Sequence, residues 1–219
     1  MPRKGLLIAI EGIDGAGKTT QARLLREYLQ SRGYCVVLSK EPTEGPWGRK
    51  IRTLAREGRH RATPQQELEY FIRDRQSHVQ DVVLPALQRG CIVILDRYYF
   101  STMAYQGASG LDPQAIRRRN EAFAPAPDLL IVLDVPPSLG RSRIRHGRNE
   151  TPNAFEGEDF LARVRALFRN LSDPCAVHVD GTRSIQEVQE TIRCAVDRLL
   201  AESRRDEGPA AMNSGITER

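Results

Sequence analysis

The segment Gly12-Ile13-Asp14-Gly15-Ala16-Gly17-Lys18-Thr19 follows an apolar run, Leu6-Leu7-Ile8-Ala9-Ile10, and opens a helical pattern carried by Leu24, Leu25 and Leu29. Strand, glycine-rich turn and helix, in that order, are the setting in which G-x-x-x-x-G-K-S/T acts as a phosphate-binding loop. Glycines let successive backbone N–H groups turn inward, forming a nest for polyphosphate oxygens at a helix N-terminus, where the dipole favours an anion. Lys18 is placed to neutralise β- and γ-phosphate charge, and the Thr19 hydroxyl to ligate Mg²⁺. The plain alternative is a glycine-rich turn with a solvated lysine; the flanking strand and helix argue against it.

The chain has 219 residues, enough for one α/β domain with a proper core. Apolar content of 40% and a mean hydropathy of −0.47 read as soluble and globular. No apolar stretch approaches the ~20 residues of a membrane span, and the N-terminus lacks a signal-peptide pattern. Cys35, Cys91, Cys175 and Cys194 are scattered, with no C-x-x-C pair. Cys35 and Cys91 open predicted buried strands and are expected as reduced core residues, so metal binding by cysteine is not expected and the compartment reads as cytoplasmic. A net charge of +5 and a pI near 9.2 favour polyanionic partners. Arginines cluster at Arg141, Arg143, Arg145 and Arg148, and again at Arg117, Arg118 and Arg119, the latter read as a solvated helix face. Aromatics are not interleaved with these runs, which argues against a stable nucleic-acid partner.

Apolar runs alternate with helical patterns along the chain. Strands are predicted at Leu6–Glu11, Cys35–Ser39, Cys91–Asp96, Leu129–Val135 and Ala176–Asp180. Helices are predicted to about Arg32, at Trp47–Glu57, Pro64–Arg89, Pro113–Ala124, from Pro137, around Glu158–Leu171, and at Ser184–Glu202. A polar loop is expected between Arg97 and Pro113. Near-continuous apolar strands separated by helices imply a parallel sheet covered on both faces, with ligands at the carboxyl ends of the strands. That rule gathers Asp14, Glu41, Asp96-Arg97 and Asp180-Gly181. Asp96 ends a strand where a phosphate-loop protein holds its Mg²⁺ shell, and Arg97 can grip a phosphate bidentately; a strand-end salt bridge is the alternative. We expect a single domain over 1–203 and a disordered tail over 204–219.

Glu11-Gly12-Ile13-Asp14-Gly15-Ala16-Gly17-Lys18-Thr19-Thr20, Glu41-Pro42-Thr43, Asp96-Arg97-Tyr98 and Ala104-Tyr105-Gln106-Gly107 together resemble the thymidylate kinase family. The resemblance runs from about Leu6 to Leu200. It implies an α/β fold of the P-loop NTPase type, in three α/β/α layers with a five-stranded parallel sheet, and a homodimer. The implied activity is ATP plus dTMP giving dTDP, with Mg²⁺, in dTTP supply. Gly12, Ile13, Asp14, Gly15, Ala16, Gly17, Lys18, Thr19 and Thr20 would hold ATP, and Thr19 with Asp96 the metal. Arg97 matches the arginine on the dTMP phosphate, and Asp14 the carboxylate near the acceptor sugar. Phe71 matches the aromatic that stacks on thymine, and Arg75 the side chain at the pyrimidine edge. Thr102, Tyr105 and Gln106 match positions that read the base and exclude a ribose 2′-OH. Glu41 and Arg52 border the acceptor. On their residues alone, Phe71 also reads as core beside Leu68, Tyr105 as a loop aromatic, Thr102 as a helix cap and Glu41-Pro42 as a strand exit.

An acceptor phosphate is already an ionised nucleophile, so catalysis is expected to rest on positioning and charge neutralisation. Gly140–Phe155, with Gly140, Gly147 and Pro152, reads as an arginine-rich lid over about 140–156. The phosphate loop contains no arginine, which leaves the lid to supply one: Arg145 and Arg148 for catalysis, Arg143 to cover adenine. The family's lid commonly ends Asp-Arg-aromatic-Glu, against Asn153-Ala154-Phe155-Glu156 here, and the segment from Glu41 to Gly48 also departs from the commoner glycine-rich form. Other deoxynucleoside monophosphates or a nucleoside remain rival acceptors, and a non-catalytic nucleotide switch is a third reading.

Overall fold

The structure, a computed structural model, describes residues 5–57, 61–148 and 157–206, with only the backbone described at 147, 148 and 206. Five parallel strands form one sheet in the order β2-β3-β1-β4-β5. β1 (Leu6–Gly12) and β3 (Ile92–Asp96) are buried along their whole length, and β4 (Leu129–Asp134) along all but its last residue. β2 (Val36–Lys40) and β5 (Ala176–Asp180) are half-exposed edges. Strands sandwiched between two helical layers need apolar side chains on both faces, and the unbroken runs in the sequence meet that demand. Register sets the rest. Ile10 lies opposite Asp96, Gly12 opposite Leu133, and Lys40 opposite Asp96, so the carboxyl ends of these strands finish at one edge. Beyond Gly12 the chain leaves β1 toward β2 on one side of the sheet, whereas the adjacent β3 leads on to β4 on the other side, and this divergence opens a crevice there.

α1 (Lys18–Ser31) turns Ala22, Leu25 and Leu29 into the core, each worth about 1.5–3 kcal/mol when fully buried for the larger pair. α2 (Pro46–Glu57) precedes α3 (Pro64–His78), which starts on a reciprocal cap between Thr63 and Gln66 with Pro64 in its first turn. The single helix expected over 64–89 is interrupted: α3 passes through a π-turn, Val79–Val83, into α4 (Leu84–Gln88). Pro85 has no N–H for the carbonyl four residues back, and the wider turn absorbs that loss.

The expected polar loop after β3 is instead largely α5 (Tyr99–Ala108). Tyr99, Phe100, Met103 and Ala104 are buried with the polar residues between them, so α5 lacks the one-sided pattern that marks a surface helix. α6 (Pro113–Glu121) is capped by Asp112, and its Arg117 and Arg119 engage Glu121, Asp173 and Glu69, with Arg118 reaching Asp112. α7 (Pro137–Arg148) and α8 (Glu158–Arg169) flank the segment 149–156, so Pro152 and Asn153 to Glu156 lie outside the described residues. α9 (Ile185–Asp206) extends past the expected start of the tail, and Arg204 donates to the Tyr34 hydroxyl at 2.5 Å; 207–219 lie outside the described residues. No described helix is long and apolar enough to cross a membrane.

Cys35 and Cys91 are not the reduced core pair expected from the sequence: they form a disulfide. Val36 pairs with Ile92, so the residues just before them face each other across neighbouring strands, with Cα atoms 4.7 Å apart. Cys35 is also exposed, whereas Cys91 is buried. Cys175 and Cys194 are free. Thiol titration of denatured, unreduced protein should therefore give two groups per chain, rising to four after reduction. With the two cysteines 56 positions apart in sequence, reduction should lower stability by about 4 kcal/mol on the chain-entropy model, read as a fall in the denaturant midpoint.

Candidate functional site

α3, α6, α8 and α9 begin on a side-chain cap or with acid in the first turn. α1 begins on neither: its N-cap is Gly17 at φ 96°, with no side-chain hydrogen bond and no acidic residue following. Its first N–H groups are left for an external acceptor, and the helix dipole points the same way. Lys18 is buried, and its Nζ donates to the carbonyls of Gly12 (3.1 Å) and Ile13 (2.7 Å). Burial, then the nearby Arg97 charge, push the Lys18 pKa down to about 7 against the pull of Asp14, Asp96 and Glu11. Thr19 Oγ donates to Asp96 Oδ2 at 2.5 Å, while Asp96 Oδ1 is buried with no partner among the described residues. Lys40 Nζ stands 3.7 Å from the same carboxylate.

Two cavities meet at this edge. One, of about 710 Å³, is bordered by the loop from Asp14 to Thr20 and by Asp96, Arg143, Gly181 and Arg183. The other, of about 740 Å³, is bordered by Glu41, Arg52, Phe71, Thr102, Tyr105 and Gln106 among others. Asp14, Lys40 and Arg97 border both. At that junction Arg97 Nη2 donates to Asp14 Oδ1 (2.7 Å), and the Tyr105 hydroxyl donates to Asp14 Oδ2 (2.9 Å) while accepting from the Asp14 N–H. Burial opposes the Arg97 charge, yet Asp14 and the surrounding acidic groups hold its pKa above the ordinary value. Burial and then Asp14 push the Tyr105 phenol up, so it stays a neutral donor.

The second cavity has an apolar wall and a polar one. Phe71 is half-buried and lines it. Gln106 is wholly buried, and neither its carboxamide oxygen nor its nitrogen has a partner among the described residues. Thr102 is buried in the same wall. Arg52 reaches the Pro42 carbonyl (3.1 Å) and Glu44 (2.7 Å) at the cavity mouth. Arg75, expected at the ligand's edge, borders neither cavity. Its guanidinium is 1% exposed and engaged by Glu41 (2.8 Å), Asn120 (2.6 Å) and Thr102 (3.0 Å), so it braces the wall from behind. Glu41 in turn meets His78 Nδ1 at 2.9 Å, and His78 Nε2 meets Ser39 Oγ at 2.7 Å. Burial alone would raise the Glu41 pKa, but Arg75 and His78 hold it below the ordinary 4.5.

α7 docks directly on the phosphate loop. A Cβ at Gly140 would stand 2.5 Å from the Asp14 carbonyl oxygen, and one at Gly15 (φ 76°) would run into the Gly140 carbonyl. Two glycines thus let backbone touch backbone where the arginine-rich segment begins. Arg143 borders the first cavity. Arg145 is exposed and borders neither, and the Arg148 side chain lies outside the described residues. The sequence reading assigned no role to Glu11, Lys40, Ser101, His78 or Asn120. For Glu11 a signal was present, as the one charge in an otherwise apolar strand. For Lys40 it was its place at a strand's carboxyl end.

A family model described as thymidylate kinase matches residues 10–192. Among individual proteins, a thymidylate kinase of Xanthomonas euvesicatoria pv. vesicatoria is 49% identical over 213 residues, covering 95% of this chain and 92% of its own. That of Xanthomonas campestris pv. campestris (strain B100) is 50% identical over 90% of this chain and 86% of its own. That of Desulfotalea psychrophila is 47% identical over 90% and 96% respectively.

The packing at Gly140 makes a sharp expectation. Gly140→Ala should shift the Asp14–Gly15 backbone, cost about 1–3 kcal/mol by overpacking and weaken nucleoside triphosphate binding, measured by calorimetry beside thermal unfolding. The Glu41 environment sets an acid limb. A carboxyl held below its ordinary value stabilises the fold fully above about pH 4.5 and loses that contribution as pH falls through its folded value. Glu41→Gln should be the less stable protein at pH 7, and the gap in Tm should narrow between pH 5 and pH 3.

Proposed function

The chain belongs to the thymidylate kinase family, and from that premise we propose how its residues divide the work. The enzyme transfers the γ-phosphoryl group of ATP to dTMP, giving dTDP and ADP. ATP phosphates take the cavity around Gly12, Ile13, Asp14, Gly15, Ala16, Gly17, Lys18, Thr19 and Thr20, with Arg143 over the adenine. dTMP takes the cavity of Phe71, Thr102, Tyr105 and Gln106. The observation that carries this assignment is the Gln106 carboxamide, a buried donor and acceptor without partners. Such groups are costly to leave unmade, and a pyrimidine imide edge offers the complementary pair. Phe71 supplies a flat apolar face for the ring, and the Tyr105–Asp14 pair occupies the space beside the sugar.

Arg97 grips the acceptor phosphate at the junction where both cavities meet. The attacking oxygen needs no proton removed. Arg97 and Lys18 offset the repulsion between two polyanions and hold donor and acceptor in line. Lid arginines, Arg145 and Arg148 in this reading, complete the charge around the transferring group when the segment over 140–156 closes and excludes water. The residues present suit Mg²⁺: Asp96 Oδ1 is a buried oxygen without a partner, and Thr19 Oγ lies beside the same carboxylate. Bound by Thr19 and Asp96, the ion would neutralise charge on the donor phosphates. Residues 1–203 act as one catalytic domain, active as a homodimer in the cytoplasm, where exposed Cys35 leaves its disulfide open to reduction.

A coupled ADP-release assay with Mg-ATP across dTMP, dUMP, dCMP, dGMP and thymidine should give turnover confined largely to dTMP; a faster rival acceptor would overturn the assignment. Lys18→Ala should abolish transfer. Arg97→Ala should raise the KM for dTMP roughly a hundredfold with a small effect on that for ATP. EDTA should stop turnover and Mg²⁺ restore it. Light scattering should give twice the 24.6 kDa of one chain.

A further inference from the structure

Arg97 holds an unusual backbone position. It is not glycine, yet its φ is 76°, in the left-handed region that costs a branched or long side chain of order 1 kcal/mol or more. The backbone there is held by the Arg97 N–H on the Ile10 carbonyl (3.1 Å) and, one residue on, by a buried carboxylate. Glu11 is wholly buried in β1. Its Oε1 accepts from the N–H groups of Tyr98 (2.7 Å) and Ser101 (3.0 Å), and its Oε2 accepts from Ser101 Oγ (2.5 Å). Ser101 Oγ in turn accepts from Arg97 Nη1 at 2.8 Å. α5 has no side-chain cap of its own at Tyr98, so a carboxylate from a different strand caps it.

We propose that Glu11 is a positioning residue for the reaction: through Ser101 it fixes the Arg97 guanidinium at the phosphate end of the acceptor cavity. This rests on the assignment of Arg97 to the acceptor phosphate. The geometry suits the task. Asp14 holds Nη2 and Ser101 holds Nη1, so the guanidinium is clamped at both terminal nitrogens before any ligand arrives. A clamped guanidinium loses less rotational freedom on binding a phosphate. Burial raises the Glu11 pKa, while the Arg97 charge and the three donors oppose that rise.

Two variants separate the relay from a mere helix cap. Ser101→Ala keeps the Tyr98 and Ser101 N–H bonds to Glu11 Oε1 and removes the hydroxyl that joins Glu11 Oε2 to Arg97; Glu11→Gln weakens the cap and the relay together. The readouts are KM for dTMP and ATP, and the Kd for thymidine, which lacks the phosphate, by calorimetry. The relay predicts that Ser101→Ala raises the KM for dTMP about tenfold. Thymidine and ATP should change less than about twofold, and Ser101→Ala should add little in the Arg97→Ala background. If thymidine and dTMP weaken alike, or the two substitutions are additive, Glu11 only caps α5 and the proposal is wrong. If Arg97→Ala itself leaves the preference for dTMP over thymidine unchanged, the assignment of Arg97 fails and takes the relay with it. If Arg97→Ala removes that preference and Ser101→Ala does not touch it, the relay alone is overturned.

Discussion

The carboxyl edge of the sheet depends on the ion pair between Arg97 and Asp14, 2.7 Å apart where the two cavities meet. One partner comes from the phosphate loop after β1 and the other from the turn after β3. Their meeting requires the register that sets Ile10 against Asp96, and that register requires both strands to be apolar on both faces. A slip of one residue would send every side chain of β3 to the opposite layer. The pair therefore reports, in one distance, that the sheet has assembled correctly.

The same edge holds its cations at rest with its own oxygens. Lys18 donates to two loop carbonyls, Arg97 to Asp14 and Ser101, and Arg75 to Glu41, Asn120 and Thr102. A buried cation without partners is expensive, and these arrangements avoid that penalty in the free protein. Binding then exchanges partners for Lys18 and Arg97 without first dragging a charge out of water. Arg75 differs, because it borders neither cavity, and its service is to hold Glu41 and Thr102, which line one of them, still.

What was legible in the sequence was local or repetitive. The phosphate loop announces itself by spacing, and the five strands by unbroken apolar runs. α5 was missed because burial on all sides erases the one-sided pattern by which helices are recognised. The Cys35–Cys91 bridge was missed because it depends on β2 and β3 being neighbours, a fact of topology that no window of sequence contains. The bracing role of Arg75 needs residues 41, 102 and 120 brought together, and Glu11 needs a strand, a turn and a helix start at once. Lys18, Asp14 and Arg97, where motif and local pattern agreed, and Tyr105, which the motif alone singled out, converge on one edge.

The strand order also has a consequence for how the chain comes into being. β1 and β2 are consecutive in sequence but never touch, since β3 lies between them. While the chain is being synthesised, neither has its neighbour until residues 92–96 have been made, and β1 waits further still for residues 129–134 on its other flank. The phosphate loop is thus written into the first 20 residues but cannot acquire its shape from them. A ribosome-bound fragment ending before Ile92 contains the whole motif and neither of the strands, β3 and β4, that pair with β1 and give the motif its geometry.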